Sequence, residues 1–594
     1  MLGTRWASRR WISAISATCK SASRKASSAL KVAVCEQRRR IATQAVKLTG
    51  PEAAFGLTGY AVSFSPSLLP RPWYAQGLIA GIGAMSGYQF AVLTKWSGRM
   101  ALRVVGAGRP AQPARLGNVR TGLVLGAVGG LVVPLVSLRH QRYTARYVGH
   151  PEPGLLWVLA STGTGVATFT ALQAQWTFTQ RLIDSVHSRI DSRYAWGELS
   201  RLVATLVTLG TEWLIVNKIV WRGVLGLAST AANRVDQRVP LGIRQPVSPL
   251  HSGSAESLER WDQLGLQGKR FVAAGPSRAQ ILHVMGSGPA KQPIRAYASL
   301  RNRSIAQVVE AVIAELDRTE AWQRSAILLT TTTGRGNVNE WSASAFEYLM
   351  RGDCASVALQ YSKLPSALTL LSAGNQPSRA SGLLLARVEQ RLAELDPQPR
   401  PKIFLGGESL GAYGSCGIFT TPAHMLNRID GAVFTGCPAM TPMLQTLIDR
   451  RDPGSPATMP TFHRGRHIRF AGRKADFDTA DNLVEWTSPR VAFLQNETDP
   501  VAFWSPRLLW RRPPWAQEPR RVGPMAQMTW LPLTTFWQLA ADMPVCRSVG
   551  PGFGHKYDAA QTIPAWAHVL GHPELAQHDA LDAILRREVP LVNP

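Results

Sequence analysis

The sequence is short of charged residues, and acidic residues are the scarcest of them. Charged residues make up 18% of the 594 residues, below the roughly 25% of an average soluble protein, which argues against a chain that is exposed to water throughout. Because 38 acidic residues stand against 66 basic ones, the formal net charge is +28. No recognised nucleic-acid-binding motif accompanies this charge, so nucleic acid is not predicted as a partner.

Cysteine is also scarce, and its spacing excludes two classes of protein. The six cysteines form neither a dense disulfide framework nor a C-x-x-C metal site. Residues 1–48 lack the apolar core and the small-residue cleavage site of a secretory signal. They are rich in Arg and Lys, and we interpret them as a basic cytoplasmic arm. The alternative is that translation starts downstream of the first Met.

What the sequence does contain is a series of long apolar runs. Each is close to the roughly twenty residues that a helix needs to cross a bilayer, and none has a polar face at helical period, which argues against a soluble bundle. The runs are residues 53–69, 74–93, 121–138, 155–172 and 202–220. The sequence therefore predicts an all-α, multi-pass transmembrane region over residues 49–228, with four or five helices, in the cell membrane.

The basic residues between the runs bear on the orientation. Residues 95–120 hold six Lys and Arg residues, whereas the short link of residues 70–73 holds only Arg71. The positive-inside rule then places the N-terminus and the loop after Lys95 on the cytoplasmic side. An odd number of spans would put the C-terminal half outside and four would keep it inside, so both orientations stay open.

A linker and a second kind of pattern follow. Residues 229–268 turn polar and rich in Pro, Ser and Gly, as linkers are. In residues 269–594, short β-rich runs alternate with helix-period segments, which predicts a mostly parallel sheet covered by helices on both faces, an α/β fold. The β-rich runs are residues 271–274, 326–331, 356–359, 402–405, 432–434, 491–494 and 546–549, and the clearest helices are 305–317 and 381–395.

The sharpest motif is G-x-S-x-G at residues 407–411, with Ser409 at its centre. It directly follows the apolar run that ends at Leu405. Between a strand and a helix this motif forms a tight elbow that presents the serine hydroxyl at the end of the strand. Ser409 is therefore the candidate nucleophile.

A serine nucleophile needs a base, and the base needs an orienting acid. In α/β-hydrolases these follow in the order serine, acid, histidine. Asp499 comes after the predicted strand 491–494, and His555 comes in the glycine-rich segment after the predicted strand 546–549. The alternatives without catalysis are that Asp499 forms an Asx turn and that His555 is an ordinary loop histidine.

Several other residues compete for the acid and base roles. Four aspartates could orient a histidine, but none directly follows a predicted strand, and one further histidine lies in what looks like the terminal helical part. They are Asp476, Asp478, Asp481, Asp558 and His572. We interpret His572 as structural.

The oxyanion of acyl transfer needs two N–H donors. The backbone N–H of Leu410, directly after the nucleophile, is the first candidate. The second is the loop after strand 326–331, with Gly334 and Arg335, although a simple β-turn fits that loop equally well.

Aromatic residues gather after Asp499. They are Phe503, Trp504, Trp510, Trp515, Trp530 and Trp537. One interpretation places these residues in the core or at a membrane interface. The other is that they line an apolar entrance for acyl chains.

Several segments carry a resemblance to a known family. They are F-V-A-A-G-P at 271–276, P-I-R-A-Y at 293–297, T-G-R-G at 333–336, G-D at 352–353, Q-Y-S at 360–362 with L-P-S at 364–366, the elbow, T-D-P at 498–500, and S-P-S-L-L-P-R-P-W at 65–73 followed by Q-G at 76–77. Together they resemble a bacterial family of membrane-anchored α/β-hydrolases with a multi-pass N-terminal region. The resemblance implies Ser409, Asp499 and His555 as the triad and a lipase or esterase activity. Asn337 departs from the aromatic residue of the family's T-G-x-G-aromatic pattern, which affects the substrate contact of that loop and not the triad.

Two hypotheses of different class follow. The first is a membrane-tethered serine esterase or lipase that acts on lipidic esters, contacts membrane lipids and requires no cofactor or metal; an acyltransferase would use the same residues. The second is a non-catalytic membrane scaffold or transport accessory that keeps a hydrolase fold. The substrate's identity and the oligomeric state stay open.

Overall fold

The computed structural model describes residues 50–104, 119–239, 242–395, 400–477, 483–518 and 523–592. The predicted basic arm, residues 1–48, lies outside this part of the chain, as do Asp478 and Asp481.

The N-terminal region is helical. Its helices are α1 (Gly50–Ser63), α2 (Trp73–Val104), α3 (Val119–Tyr147), α4 (Leu156–Tyr194), α5 (Glu198–Leu214) and α6 (Trp221–Asp236). A π-helical segment, Ile215–Val220, joins α5 to α6. Residues 198–236 are therefore one continuous helical rod.

The C-terminal region is built on one sheet. In the described residues it has seven strands, all parallel, in the order β1-β3-β2-β4-β5-β7-β6. The strands are β1 (Ile294–Ala298), β2 (Ala326–Thr331), β3 (Cys354–Leu359), β4 (Lys402–Glu408), β5 (Gly431–Thr435), β6 (Ile468–Ala471) and β7 (Arg490–Leu494). The predicted parallel α/β sheet is thus confirmed.

Helices cover both faces of this sheet. The helices of the C-terminal region are α7 (Leu266–Ala274), α8 (Arg278–Met285), α9 (Ile305–Arg318), α10 (Glu340–Leu349), α11 (Ser366–Ala373), α12 (Gln376–Glu394), α13 (Leu410–Cys416), α14 (Pro422–Leu426), α15 (Pro442–Asp449), α16 (Pro500–Phe503), α17 (Pro524–Gln527), α18 (Thr534–Asp542), α19 (Ala559–Leu570) and α20 (Asp579–Val592). Short 3₁₀ turns stand at Trp261–Gln263, Ala321–Gln323, His463–Gly465, Lys474–Phe477, Pro506–Leu509, Pro514–Ala516, Met543–Val545 and Pro573–Ala576.

The alternating direction of the side chains along each strand explains why helices pack on both faces of the sheet. In β2, Ile327 and Leu329 pack with α9, α12 and α13 on one face. Ala326 and Leu328 pack with α8, α10, α19 and α20 on the other. Because successive side chains of a strand point to opposite faces, a strand that is apolar throughout needs a helical layer on both.

Two of the predicted strands were wrong. Residues 271–274 belong to helix α7, and residues 546–549 form turns instead of a strand. Strands β1 and β6 were missed. Runs of four apolar residues fit a buried helix turn as well as a strand, so periodicity alone does not separate them.

The apolar runs of the N-terminal region fold differently from the prediction. Among the described residues, two helices are long and apolar enough to cross a membrane, Trp73–Gly98 and Glu198–Asp236. A multi-pass region of four or five spans is not supported. Helix α1, for example, has only 14 residues, because the predicted first span ends in the irregular segment that contains Pro66 and Pro70.

That irregular segment joins the two regions. Asp542, at the end of α18, accepts hydrogen bonds from the Ser67 hydroxyl (2.5 Å) and from the backbone N–H groups of Leu68 (3.1 Å) and Leu69 (3.2 Å). The Arg71 guanidinium lies 3.5 Å from the same carboxylate, and both side chains are fully buried. A buried cluster of polar residues therefore joins the N-terminal region to the C-terminal region.

Candidate active site

Ser409 occupies the single residue between β4 and α13. Its backbone is in a strained region, φ 56° and ψ −120°, and its N–H donates to the carbonyl oxygen of Thr435 at the end of β5 (2.9 Å). A Cβ at Gly411 would lie 2.2 Å from the carbonyl oxygen of Thr331, so only glycine lets α13 approach β2 this closely. This is the strand–elbow–helix geometry expected of a nucleophile.

Asp499 caps the helix that follows β7. Its Oδ1 accepts the N–H of Val501 (2.9 Å). Its Oδ2 accepts hydrogen bonds from Nδ1 of His555 (2.7 Å) and from the Tyr557 hydroxyl (2.7 Å). With its side chain fully buried, the carboxylate can hold the imidazole in one orientation.

The His555 backbone is fixed by its neighbours. Its N–H donates to the carbonyl oxygen of Cys546 (2.7 Å), and the N–H of Gly554 donates to the Thr498 hydroxyl (2.8 Å). The Asn496 amide donates to the carbonyl oxygen of Gly554 (2.9 Å). The loops that carry the acid and the histidine therefore form one hydrogen-bonded unit.

The imidazole lies against the end of β5. Gly436 has φ +54°, and a Cβ there would lie 2.4 Å from Cε1 of His555. Gly436 directly follows Thr435, which accepts the N–H of Ser409. The structure thus brings His555 and Asp499 into contact and places both at the strand edge that carries Ser409.

The hydrogen bond between His555 and Ser409 is not formed. Nε2 of His555 is buried and has no hydrogen-bond partner among the described residues. Glu408, the residue before Ser409, approaches it to 3.9 Å. Ser409 itself is partly exposed. Such contacts are often long in unliganded enzymes and tighten when substrate binds.

Charged neighbours set the proton affinity of the histidine. Burial lowers the pKa of His555, but the Asp499 carboxylate and, further away, Glu408 raise it, and the net pKa is above its usual value. Arg547 lowers the pKa of His555 and pairs with Glu408 at 3.1 Å. Burial and Asp499 raise the pKa of Tyr557 well above its usual value, so the phenol stays neutral and donates to Asp499.

The predicted oxyanion donors differ in their position relative to Ser409. Leu410 is buried at the first position of α13, directly beside Ser409. The N–H of Gly334 donates to the Ser366 hydroxyl (3.2 Å), and Arg335 is exposed. The segment of that loop nearest the elbow is instead Thr331–Thr332, whose carbonyl oxygens lie over Gly411. The oxyanion role of all three residues stays a prediction.

The other candidates for the acid and base roles have neighbours that give them structural functions. Asp558 caps α19 through the N–H of Ala560 (3.1 Å) and pairs with Arg586 (3.0 Å). Asp476 accepts the N–H groups of Gly472 and Arg473 (both 2.8 Å). His572 is exposed beside Glu574.

Sequence reasoning missed three residues of this site, namely Glu408, Gly436 and Tyr557. Tyr557 follows His555 by two residues, and Glu408 lies inside the elbow motif, so both stood beside recognised residues. Gly436 follows a strand in the segment T-G-C-P, which has no motif of its own.

A cavity of about 150 Å³ lies beside the acid loop. Its apolar lining includes Ala502, Phe503, Leu508 and Trp515, and Arg507, Arg511 and Arg512 stand among its polar lining. Ala439, three residues after Gly436, also lines it. The cavity therefore adjoins the segment that follows β5.

Within the described part of the chain, no group of three or more His, Cys, Asp or Glu residues is arranged to hold a metal ion.

Comparison with known families gives two matches. Residues 294–582 match the model of an alpha/beta-hydrolase family, and residues 64–276 match the model of the N-terminal region of such a family. The second match begins at Phe64, directly before the segment that binds Asp542. No curated protein and no solved structure matches the chain significantly.

Proposed function

The chain belongs to this alpha/beta-hydrolase family, and we propose that it is a membrane-attached serine hydrolase of carboxylic esters, with Ser409 as nucleophile, His555 as general base and Asp499 as orienting acid. The observation that carries the proposal is the 2.7 Å hydrogen bond between Asp499 and Nδ1 of His555, at the strand edge where Ser409 occupies a strained elbow.

The chemistry needs these three side chains and water. Oγ of Ser409 attacks the acyl carbonyl carbon and passes its proton to Nε2 of His555. The proton then moves to the leaving alcohol as the ester C–O bond breaks. A water molecule, deprotonated by the same imidazole, releases the acid and restores the serine. Asp499 stabilises the imidazolium in both halves of the cycle.

Membrane attachment rests on the rod of residues 198–236. Only 17% of its most apolar window is buried against the protein, compared with 39% for the helix over 73–98. Its large apolar side chains are mostly exposed, among them Leu202, Leu206, Leu209, Trp213, Ile219 and Leu227. In water this surface would be costly, whereas in a bilayer it is favourable. A bilayer at this position favours lipidic esters as substrates.

A second candidate is the non-catalytic scaffold. The observation that favours it is the unformed contact between Nε2 of His555 and Ser409. Against it stands the hydrogen-bonded Asp499–His555 pair, which a scaffold does not need.

Labelling with a fluorophosphonate separates the two candidates. We expect the full-length protein in detergent to form an adduct that disappears in Ser409→Ala. The matched control is Ser372→Ala, because Ser372 is an exposed serine of α11 whose hydroxyl donates to the carbonyl oxygen of Leu368, and this variant should label as the wild type does. A folded wild-type protein that forms no adduct would support the scaffold. Release of acid or of a new ester, when alcohol is added to an ester substrate, distinguishes a hydrolase from an acyltransferase.

A further inference from the structure

Three large apolar side chains are exposed together on the catalytic region. Trp510 is 67% exposed, Leu533 49% and Trp537 38%. The N–H of Leu533 donates to the carbonyl oxygen of Leu509 (3.0 Å), and that of Trp537 to Leu533 (3.4 Å). These bonds hold residues 533–537 beside Leu509, the neighbour of Trp510 in the chain, and we therefore treat the three exposed side chains as one patch.

Three arginines border the patch. Arg507 donates to Gln445 (3.3 Å), and Arg512 to the carbonyl oxygen of Ala516. These partners are neutral, and no ion pair within the described residues involves Arg507, Arg511 or Arg512. We call the six residues Arg507, Trp510, Arg511, Arg512, Leu533 and Trp537 the Trp510 surface.

The Trp510 surface adjoins the start of helix α2. Ala541, one helical turn after Trp537, packs with Ala75 and Ile79 of α2. Residues four apart share a face of a helix, so Trp537 lies on the side of α18 that meets α2. At the start of α2, Trp73 and Tyr74 are also exposed, by 48% and 44%.

This contact sets the height of the catalytic region above a membrane. The candidate span begins at Trp73, and at 1.5 Å per residue Ile79 lies only about 9 Å further along the helix axis. A region that touches Ala75 and Ile79 therefore reaches the level of the lipid headgroups. Tryptophan and arginine are the side chains typical of that level, because they combine apolar area with a polar or charged end.

The cavity beside the acid loop opens at the same surface. Its lining includes Arg507, Arg511 and Arg512 as well as Phe503 and Trp515. An anionic lipid headgroup at these arginines would bring its chains to the mouth of the cavity.

We propose that the Trp510 surface docks on an anionic lipid interface, so that the cavity beside the acid loop opens towards the bilayer. The proposal rests on the membrane attachment proposed above, takes Trp73–Gly98 as a second membrane helix beside the rod of residues 198–236, and adds the orientation of the catalytic region. Charge complementarity and continuity with the start of α2 favour lipid over a second copy of the chain.

The depth of the surface can be measured directly. We would replace Cys19 and Cys35 by serine, keep the four buried cysteines 354, 416, 437 and 546, and attach the fluorophore NBD to Trp510→Cys. In nanodiscs that contain phosphatidylglycerol, lipids with a doxyl group near the headgroup should quench this label strongly and its emission should shift to the blue. The matched control is Leu383→Cys on α12, an exposed leucine that should stay unquenched.

The arginines give a second, independent readout. Each arginine near an anionic surface strengthens attraction about fivefold, so Arg507→Gln, Arg511→Gln and Arg512→Gln together should weaken docking roughly a hundredfold and abolish the difference between phosphatidylglycerol and phosphatidylcholine nanodiscs. Equal, weak quenching at positions 510 and 383 would overturn the proposal. So would a blue shift at position 510 that appears in detergent with rising protein concentration, because the surface would then be an interface between copies. Fluorophosphonate labelling of Ser409 in detergent and flotation of the triple arginine variant with vesicles test the proposed function separately, since the first needs no membrane and the second lacks the charges of the Trp510 surface.

Discussion

The carbonyl oxygen of Val148, in the N-terminal region, accepts a 2.7 Å hydrogen bond from the N–H of Gly550, five residues before His555. Next to it, the rings of Tyr147 and Phe553 meet edge to face with centroids 5.5 Å apart. The segment that carries the candidate base is therefore supported by the end of α3 as well as by the acid loop. The N-terminal region therefore contacts the segment that carries His555, in addition to the membrane attachment proposed for it.

Removing the Phe553 ring should loosen this support. We expect Phe553→Ala to fold and to lose between about tenfold and a hundredfold in the rate of fluorophosphonate labelling, because a displacement of about 1 Å at a catalytic group costs up to a hundredfold. Tyr143→Ala is the control, since Tyr143 also stacks on Tyr147 (6.3 Å) but has no aromatic contact with Phe553. Equal rates in Phe553→Ala and wild type would show that α3 does not position His555.

The Asp499 carboxylate and the Tyr557 hydroxyl that donates to it should contribute unequally to kcat/KM. Asp499→Asn removes the charge that orients and stabilises the imidazolium, so kcat/KM for a soluble short-chain ester should fall about ten-thousandfold. Tyr557→Phe keeps the ring and removes one neutral donor, which corresponds to roughly 0.5–1.5 kcal/mol, or about a two- to tenfold loss. A Tyr557→Phe variant as impaired as Asp499→Asn would mean that the phenol, not the carboxylate, holds the histidine.

The pH dependence should respond to the charges beside His555. The imidazole must be unprotonated to accept the Ser409 proton, so activity should rise with pH through the His555 pKa, which lies above its usual value. Glu408 raises this pKa and Arg547 lowers it. Glu408→Gln should therefore move the acid limb of the kcat/KM profile to lower pH, and Arg547→Gln should move it to higher pH. Shifts in the same direction for both variants would contradict the assignment of His555 as the base.

The cluster around Asp542 should dominate the stability of the junction. Asp542→Ala leaves the buried Arg71 unpaired and the N–H groups of Leu68 and Leu69 without their acceptor, so we expect a loss of about 3–5 kcal/mol in the free energy of unfolding. Asp542→Asn keeps a carbonyl acceptor and should lose less. Denaturant unfolding of the full-length protein gives both values.

The exposed pair of Glu310 and Arg387 (2.8 Å) is the reference for this measurement. Glu310→Ala should change stability by at most about 1 kcal/mol. If Asp542→Ala cost no more than that, the junction would not be held by its polar cluster.

The sequence predicted those parts of the site that contiguous residues encode. The elbow at Ser409 is specified by its own glycines and by the strand before it, and Asp499 was predicted from the strand that precedes it. His555 was predicted from its glycine-rich segment and from the order of the three residues, although the strand assumed before it was wrong. Apolar runs that must be buried on both faces predicted the parallel sheet, because no other element hides such strands.

Contacts between distant segments were decided by the tertiary structure alone. Tyr557 reaches Asp499 across 58 positions of sequence, Gly436 makes room for the imidazole of His555, and Asp542 meets Ser67 across 475 positions. The number of helices that can cross a membrane also differed, because composition does not reveal where a helix ends or which side it buries. Local patterns determine local backbone geometry, whereas the position of one loop over another depends on packing summed over the whole core, which no short segment contains.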